Sequence, residues 1–265
     1  MRFRTVLVLL VLFAFPALAQ SQLSRDVDPQ QVIDDAQRTL QDITMHPDLE
    51  PLREELQTAR GVLIFPRVIR GGFFVGGSGG LGVFLAYDEE RGDFSPVAFY
   101  SLGSVSFGLQ FGGEVAQVVM VARTQRAVDS LFASAFRLGG DASVAAGPVG
   151  AGRRATVTAD FLSFARSRGA FIGLSLDGSM LRVRDDFNEV YYDRAVRPVE
   201  IIQSRLVDDP GTLPLRGDLL AHRLRPVDPV PQPEPEPDPV PYRDADPVEP
   251  GSGGLTIEEL QVEKI

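Results

Sequence analysis

A chain of 265 residues with no cysteine and only two histidines, His46 and His222, is long enough for a core but lacks most of the usual reactive side chains. The composition excludes disulfides, thiol catalysis, cysteine-ligated zinc, iron–sulfur clusters and a lipid anchor on an N-terminal cysteine. A single lysine, Lys264, leaves arginine as the cation of the folded part, and the formal charge of −10 with a pI near 4.8 argues against nucleic acid as a partner.

That charge is unevenly placed. Acidic and basic residues nearly cancel between Glu54 and Arg205, and the last sixty residues carry the acidic excess. At the start, Arg2 and Arg4 precede an apolar run from Val6 to Phe15 and then Ala17-Leu18-Ala19, the three-part pattern of a secretory signal cleaved near Ala19. The expected location is therefore periplasmic or secreted, with residues 1–19 removed.

A helix is predicted from Asp28-Pro29, with Asp28 as cap, Pro29 in the first turn, and Val32, Ile33, Ala36, Leu40 and Ile43 at helical spacing. A stripe of that width packs on a core, and its polar face lacks the basic character of an interfacial helix. A second short helix is expected over Leu49 to Ala59. Val62 to Phe65 then forms an apolar run suited to a strand covered on both faces, and Pro66, without a backbone donor, should stop or bulge it.

Arg67 and Arg70 follow, beside the pairs Gly71-Gly72, Gly76-Gly77 and Gly79-Gly80, and the run reads as a glycine-dense turn. Guanidinium groups next to a donor-rich backbone suit an anion such as phosphate. Further strands are predicted at Val83–Tyr87, Phe94–Leu102, Val105–Phe111, Val115–Ala122, 155–158, Phe161–Arg168 and Ala170–Val183. Thr124 caps a helix through Phe132, and a helical turn covers Asp185–Tyr192.

Strands at about ten-residue spacing indicate an α+β fold, a mostly antiparallel β-sheet or partial barrel with a few packed helices. From about Val207 the composition shifts, and Pro229 to Pro241 places proline at every second position, which favours extended polyproline II. Residues 207–265 are expected to be an acidic, proline-rich disordered tail, able to reach a partner at about 3.1 Å per residue.

Gly77-Ser78-Gly79-Gly80-Leu81-Gly82 fits G-x-G-x-x-G literally, but strand-like residues follow it where a dinucleotide fold needs a helix. Asp141, Asp160 and Asp177 have no spacing that marks them as a catalytic pair, and turn or strand-end roles suit each better. Arg166 and Arg168 share one face of a strand. Arg67, Arg70, Arg166 and Arg168, with Gly71, Gly72 and Phe73, form the candidate lipid-binding set. No catalytic residue, metal ligand or cofactor is predicted.

Several blocks together resemble the SYLF domain family: Arg60-Gly-Val-Leu-Ile-Phe-Pro66, the glycine-rich run from Gly71 to Gly80, Phe107-Gly-Leu-Gln-Phe-Gly-Gly113, Leu138 to Gly150, and Ser163 to Ser175. They occur in the family's order between about Ala36 and Tyr192, and the chain is similar to bacterial exported members. The resemblance implies a non-enzymatic, lipid-binding domain over residues 20–206, with a core of about 36–192. It places the family's basic positions at Arg70 and Arg168. Eukaryotic relatives bind phosphoinositides and some bind actin. The N-terminal segment here is mixed to acidic where phosphoinositide-binding relatives are basic. Anionic phospholipid or a membrane surface is therefore the expected partner, with a protein of the cell envelope, engaged through the tail, as the alternative.

Overall fold

The computed structural model describes residues 27–72, 75–107, 112–148, 158–167, 170–172 and 176–225. The expected signal segment, Phe73, Arg168 and the proline-rich stretch lie outside them. Helix α1 (Pro29–Thr44) begins as its sequence dictates: the Asp28 carboxylate accepts from the Gln30 N–H at 3.0 Å, and Pro29 occupies the first turn. A 3₁₀ turn (Pro47–Leu49) leads into α2 (Glu50–Thr58).

The sheet then follows as β1 (Gly61–Gly72), β2 (Val75–Asp88), β3 (Asp93–Phe94), β4 (Ala98–Phe107) and β5 (Gly112–Ala122). After α3 (Gln125–Ser130) come β6 (Ala135–Arg137), β7 (Val144–Ala146), β8 (Phe161–Ser167), β9 (Ala170–Ile172) and β10 (Met180–Val183). Helices α4 (Asp185–Tyr192), α5 (Pro198–Ile202) and α6 (Leu213–Leu224) close the described chain. The sheet order is β6-β10-β4-β2-β1-β5-β8-β7, curled as a half-barrel, with β3 on β2 and β9 on β8. All pairs are antiparallel except β7 with β8.

Period-two alternation sends the strands' apolar residues to two separate cores. On one face Val62, Ile64, Val83, Leu85, Val119 and Leu162 pack with Ile33, Leu40 and Ile43 of α1, Leu52 and Leu56 of α2, Phe187 of α4, and Leu215 and Leu219 of α6. On the other, Leu63, Phe65, Phe84, Tyr100, Met120 and Phe161 enclose Ala127, Val128, Leu131, Phe136, Ile201 and Ile202. Among the described residues, both faces of the middle of the sheet are covered by protein. Among the described residues no helix is long and apolar enough to cross a membrane.

Of the stop or bulge expected at Pro66, the structure shows the bulge. Ile64 pairs with Val83 and Arg67 with Leu81, so Phe65 and Pro66 together face Gly82. Against β5, Phe65 pairs with Val118 and Val68 with Ala116, so Pro66 and Arg67 together face Gln117.

The glycine run is not the turn read from the sequence. Gly76 to Gly82 are strand, paired with β1 on one side and β4 on the other. The bulge explains two of these glycines, because β1 presses directly on β2 there. A Cβ at Gly82 would stand 2.3 Å from the Ile64 carbonyl oxygen, and one at Gly80 would stand 2.7 Å from that of Arg67.

Residues 207–225, expected to belong to the tail, are part of the fold. Asp209, almost fully buried, accepts from the Val97 N–H at 2.9 Å and the Tyr191 hydroxyl at 2.7 Å. Tyr192 donates to the Val97 carbonyl at 2.5 Å. Burial, reinforced by the Asp209 carboxylate, pushes both tyrosine hydroxyls well above the usual phenol range, so they remain donors. This cluster ties residues 207–212 to the start of β4, and α6 then buries Leu215 and Leu219 against the sheet. Gln37 and Gln41 of α1 donate to Asp218 of α6 at 2.9 and 2.7 Å, so the first and last helices share one face.

Candidate functional site

Arg67 and Arg166 come together; Arg70 does not join them. Arg67 lies on the face of β1 that α1 covers, and Arg166 lies on the same face of β8, in register with Gln117 of β5. Gln117 donates to the buried Thr39 hydroxyl of α1 at 3.3 Å, which seats the helix over this part of the sheet. The result is an open cleft of about 500 Å³. Asp35, Arg38, Thr39 and Asp42 form its helical wall, and Pro66, Arg67, Val115, Ala116, Gln117 and Arg166 form its sheet wall.

Three guanidinium groups face two carboxylates there. Arg38 is paired with Asp35 and also donates to the Asp34 carbonyl at 3.3 Å. The Arg67 side chain is exposed and makes no ion pair or hydrogen bond among the described residues, so its charge is directed at solvent. The excess of one positive charge at an open surface suits a weakly held anion better than a buried one.

The predicted four-arginine patch is thus divided. Arg70 stands three residues from Arg67, an odd interval in a strand, so it shares the face of Val68 and points away from the cleft. Its register neighbours are Ser78 and Glu114. Gly71 and Gly72 sit at the end of β1, paired with Gly77 and Gly76 on one side and with Gly113 and Gly112 on the other. Their backbone groups belong to the ladder, which removes the free-donor nest expected of them. Arg38, Thr39 and Gln117 were missed: Arg38 reads in sequence as one more polar residue of the helix, and only the docking of α1 lays it beside β1.

Asp160 and Asp141 have structural partners. Asp160 accepts from the Thr124 hydroxyl at 2.8 Å, from the Ser143 N–H at 3.0 Å and hydroxyl at 2.6 Å, and from Arg126. Burial opposes its ionisation, but the donors from Arg126, Ser143 and Thr124 outweigh it and hold the carboxyl well below the usual carboxylate range. Asp141 accepts from the Arg137 N–H at 2.7 Å within a turn. Among the described residues no group of three or more histidine, aspartate or glutamate side chains could hold a metal ion.

A second open cleft, about 800 Å³, lies at the C-terminal end of α1, between α2 and α6. Gln41, Thr44, Met45, Arg53, Asp218 and His222 are among its walls. Arg53 is occupied there, donating to the Thr44 and His46 carbonyls at 3.0 and 2.9 Å.

A curled α+β sheet with helices on both faces and cations at an open surface cleft defines a domain class rather than an individual protein. Residues 103–221 match the family model described as Ysc84, Las17-binding protein actin regulator, so over that span the chain is similar to the Ysc84/SYLF domain family. That match runs into α6, beyond the boundary at 206 expected from sequence.

Among curated relatives, the human SH3 domain-containing YSC84-like protein 1 is 32% identical over 149 residues, 54% of this chain and 43% of that protein. An SH3 domain-containing protein of Schizosaccharomyces pombe is 30% identical over 167 residues, 60% of this chain and 38% of the relative. LAS seventeen-binding protein 3 of Saccharomyces cerevisiae is 29% identical over 167 residues, 60% and 36% respectively. The chain spans less than half the length of each of these relatives.

Proposed function

We propose that this domain is a non-enzymatic binding module of an exported, envelope-associated protein, and that it takes anionic phospholipid at the cleft between α1 and the sheet. The observation that carries the reading is the convergence of Arg67 and Arg166, from different strands, with Arg38 on one open surface. Each guanidinium near an anionic surface contributes about 1 kcal/mol, so this site gives weak, salt-sensitive attachment rather than anchoring.

Flotation with vesicles of phosphatidylcholine, with and without phosphatidylglycerol, tests it. Binding should require the anionic lipid and fall about 30-fold on Arg67→Ser with Arg166→Ser, from about 1 kcal/mol for each lost charge. It should also fade at high salt, while Arg70→Ser leaves it nearly unchanged. Equal binding by the double variant would remove the cleft from the reading. N-terminal sequencing of the exported chain, expected to begin at Gln20, tests the signal segment.

A second reading rests on the proline alternation from Pro229 to Pro241 and on relatives named for SH3 domains and for Las17 binding. In it the domain is an adaptor whose proline-rich stretch engages a protein partner in extended form. Loss of co-purifying proteins on deleting residues 226–265, with vesicle binding intact, would favour this role.

A further inference from the structure

We infer that the outer ends of β1, β2, β4 and β5 form an apolar, glycine-paved tip that seats in the boundary between headgroups and acyl chains of a bilayer. This rests on the phospholipid reading above and gives it a second, nonpolar contact. Strand register places the rows. On the face that α1 covers, the row of the cleft runs Leu81, Arg67, Gln117, Arg166. The next row outward runs Gly103, Gly79, Ile69, Val115, and the one beyond it Val105, Gly77, Gly71, Gly113. Ile69, Val115 and Val105 are 46, 48 and 70% exposed.

The other side of the same strands is polar. Ser104, Ser78, Arg70 and Glu114 form a row in register there, with the two serine hydroxyls 2.7 Å apart. The tip is therefore amphipathic across its thickness, as expected where one side meets an apolar medium and the other meets water.

The glycines of these rows add an independent observation. At Gly71 an added Cβ would meet nothing within 4 Å, and at Gly77, Gly103 and Gly113 it would meet a carbonyl oxygen at 3.4, 3.9 and 3.9 Å, ordinary contact distances. None of the four has a positive φ. The fold thus requires glycine at 80 and 82, where β1 crowds β2, but not at these four positions. Their common effect is a flat, side-chain-free surface between three aliphatic residues.

Charge complementarity selects the occupant. Arg67 and Arg166 border the apolar rows, so anionic headgroups would meet cations where the aliphatic side chains enter. A second copy docked by a two-fold axis on the same patch would instead bring these guanidinium groups toward their own equivalents.

The chain contains no tryptophan, so one introduced residue reports its own surroundings. Val105→Trp and Ile69→Trp, each in the full chain, are mixed with phosphatidylcholine–phosphatidylglycerol vesicles carrying brominated acyl chains, with Met45→Trp, at the C-terminal end of α1, as control. The two tip tryptophans should shift to the blue and be quenched, and the control should not. Val105→Asp and Ile69→Asp should each weaken flotation about tenfold with an unchanged circular dichroism spectrum. Normal flotation with water-like, unquenched tip tryptophans would overturn the inference while leaving the arginine cleft standing. Absence of flotation by the unmodified chain would remove the phospholipid reading itself, and the tip with it. A concentration-dependent blue shift without vesicles, together with dimers on sedimentation, would overturn the inference in favour of a second copy.

Discussion

Replacing Asp160 with alanine removes the acceptor that joins the start of β8 to Ser143, just before β7, and to the first turn of α3. Its carboxylate takes two hydrogen bonds from Ser143 and one from Thr124, all at 2.6–3.0 Å, and an ion pair from Arg126. The Arg126 side chain is 70% exposed, so screening reduces its share to a fraction of a kcal/mol. The Ser143 and Thr124 donors are part-buried and would lose a charged acceptor, which sets the cost at about 3 kcal/mol.

For a domain of about 200 residues that corresponds to a fall in Tm of roughly 6–12 °C by calorimetry. The pH dependence has a definite sign. The folded carboxyl lies below its unfolded value of about 3.9, so its contribution is complete above that value and is lost as pH falls through the folded one. Asp160→Asn should therefore flatten the acid limb of the stability profile. Urea denaturation of Asp160→Ala within 0.5 kcal/mol of the parent, or an unaltered acid limb in Asp160→Asn, would refute the reasoning.

Gly82→Ala should destabilise by about 3 kcal/mol or more, because its methyl group meets the Ile64 carbonyl, while Gly71→Ala stays within about 0.5 kcal/mol; paired thermal melts compare them. Leu219→Ala should cost about 2–5 kcal/mol in urea, as expected for a fully buried side chain, whereas ending the chain at Arg225 should leave the midpoint unchanged. Burial, with Arg225 nearby, lowers the His222 pKa below its ordinary value of about 6.5. The folded state thus binds that proton less readily, and stability should fall as pH drops below 6.5. His222→Gln should remove this part of the decline between pH 7 and 5, read from urea midpoints.

Where side chains carry periodicity, the fold was legible. The stripe from Val32 to Ile43 and the Asp28-Pro29 start define α1, and Thr124 caps α3 as expected, accepting from the Ala127 N–H at 3.0 Å. The glycine run was misread because glycine supplies no alternation, so a strand written largely in glycine looks like a turn. Helix α6 was hidden by Pro210, Pro214 and the acidic composition that follows, although Leu215 and Leu219 stand four apart and Pro214 fits a first turn. The division of the arginines was readable once β1 was seen to continue past Pro66, since an interval of three in a strand reverses the face. The placement of Arg38 was not readable, because it depends on which strands and helices become neighbours.

The shared face of α1 and α6 has a consequence for synthesis. Gln37 and Asp218, bonded in the finished domain, are separated by 181 residues, and β4 is flanked by β10, which is made some seventy residues later. A ribosome must therefore deliver nearly the whole domain before its earliest helix finds its final cover. Until then the apolar stripe of α1 remains available to holding chaperones, and loss of α6 should harm the yield of folded molecules more than it harms any local structure.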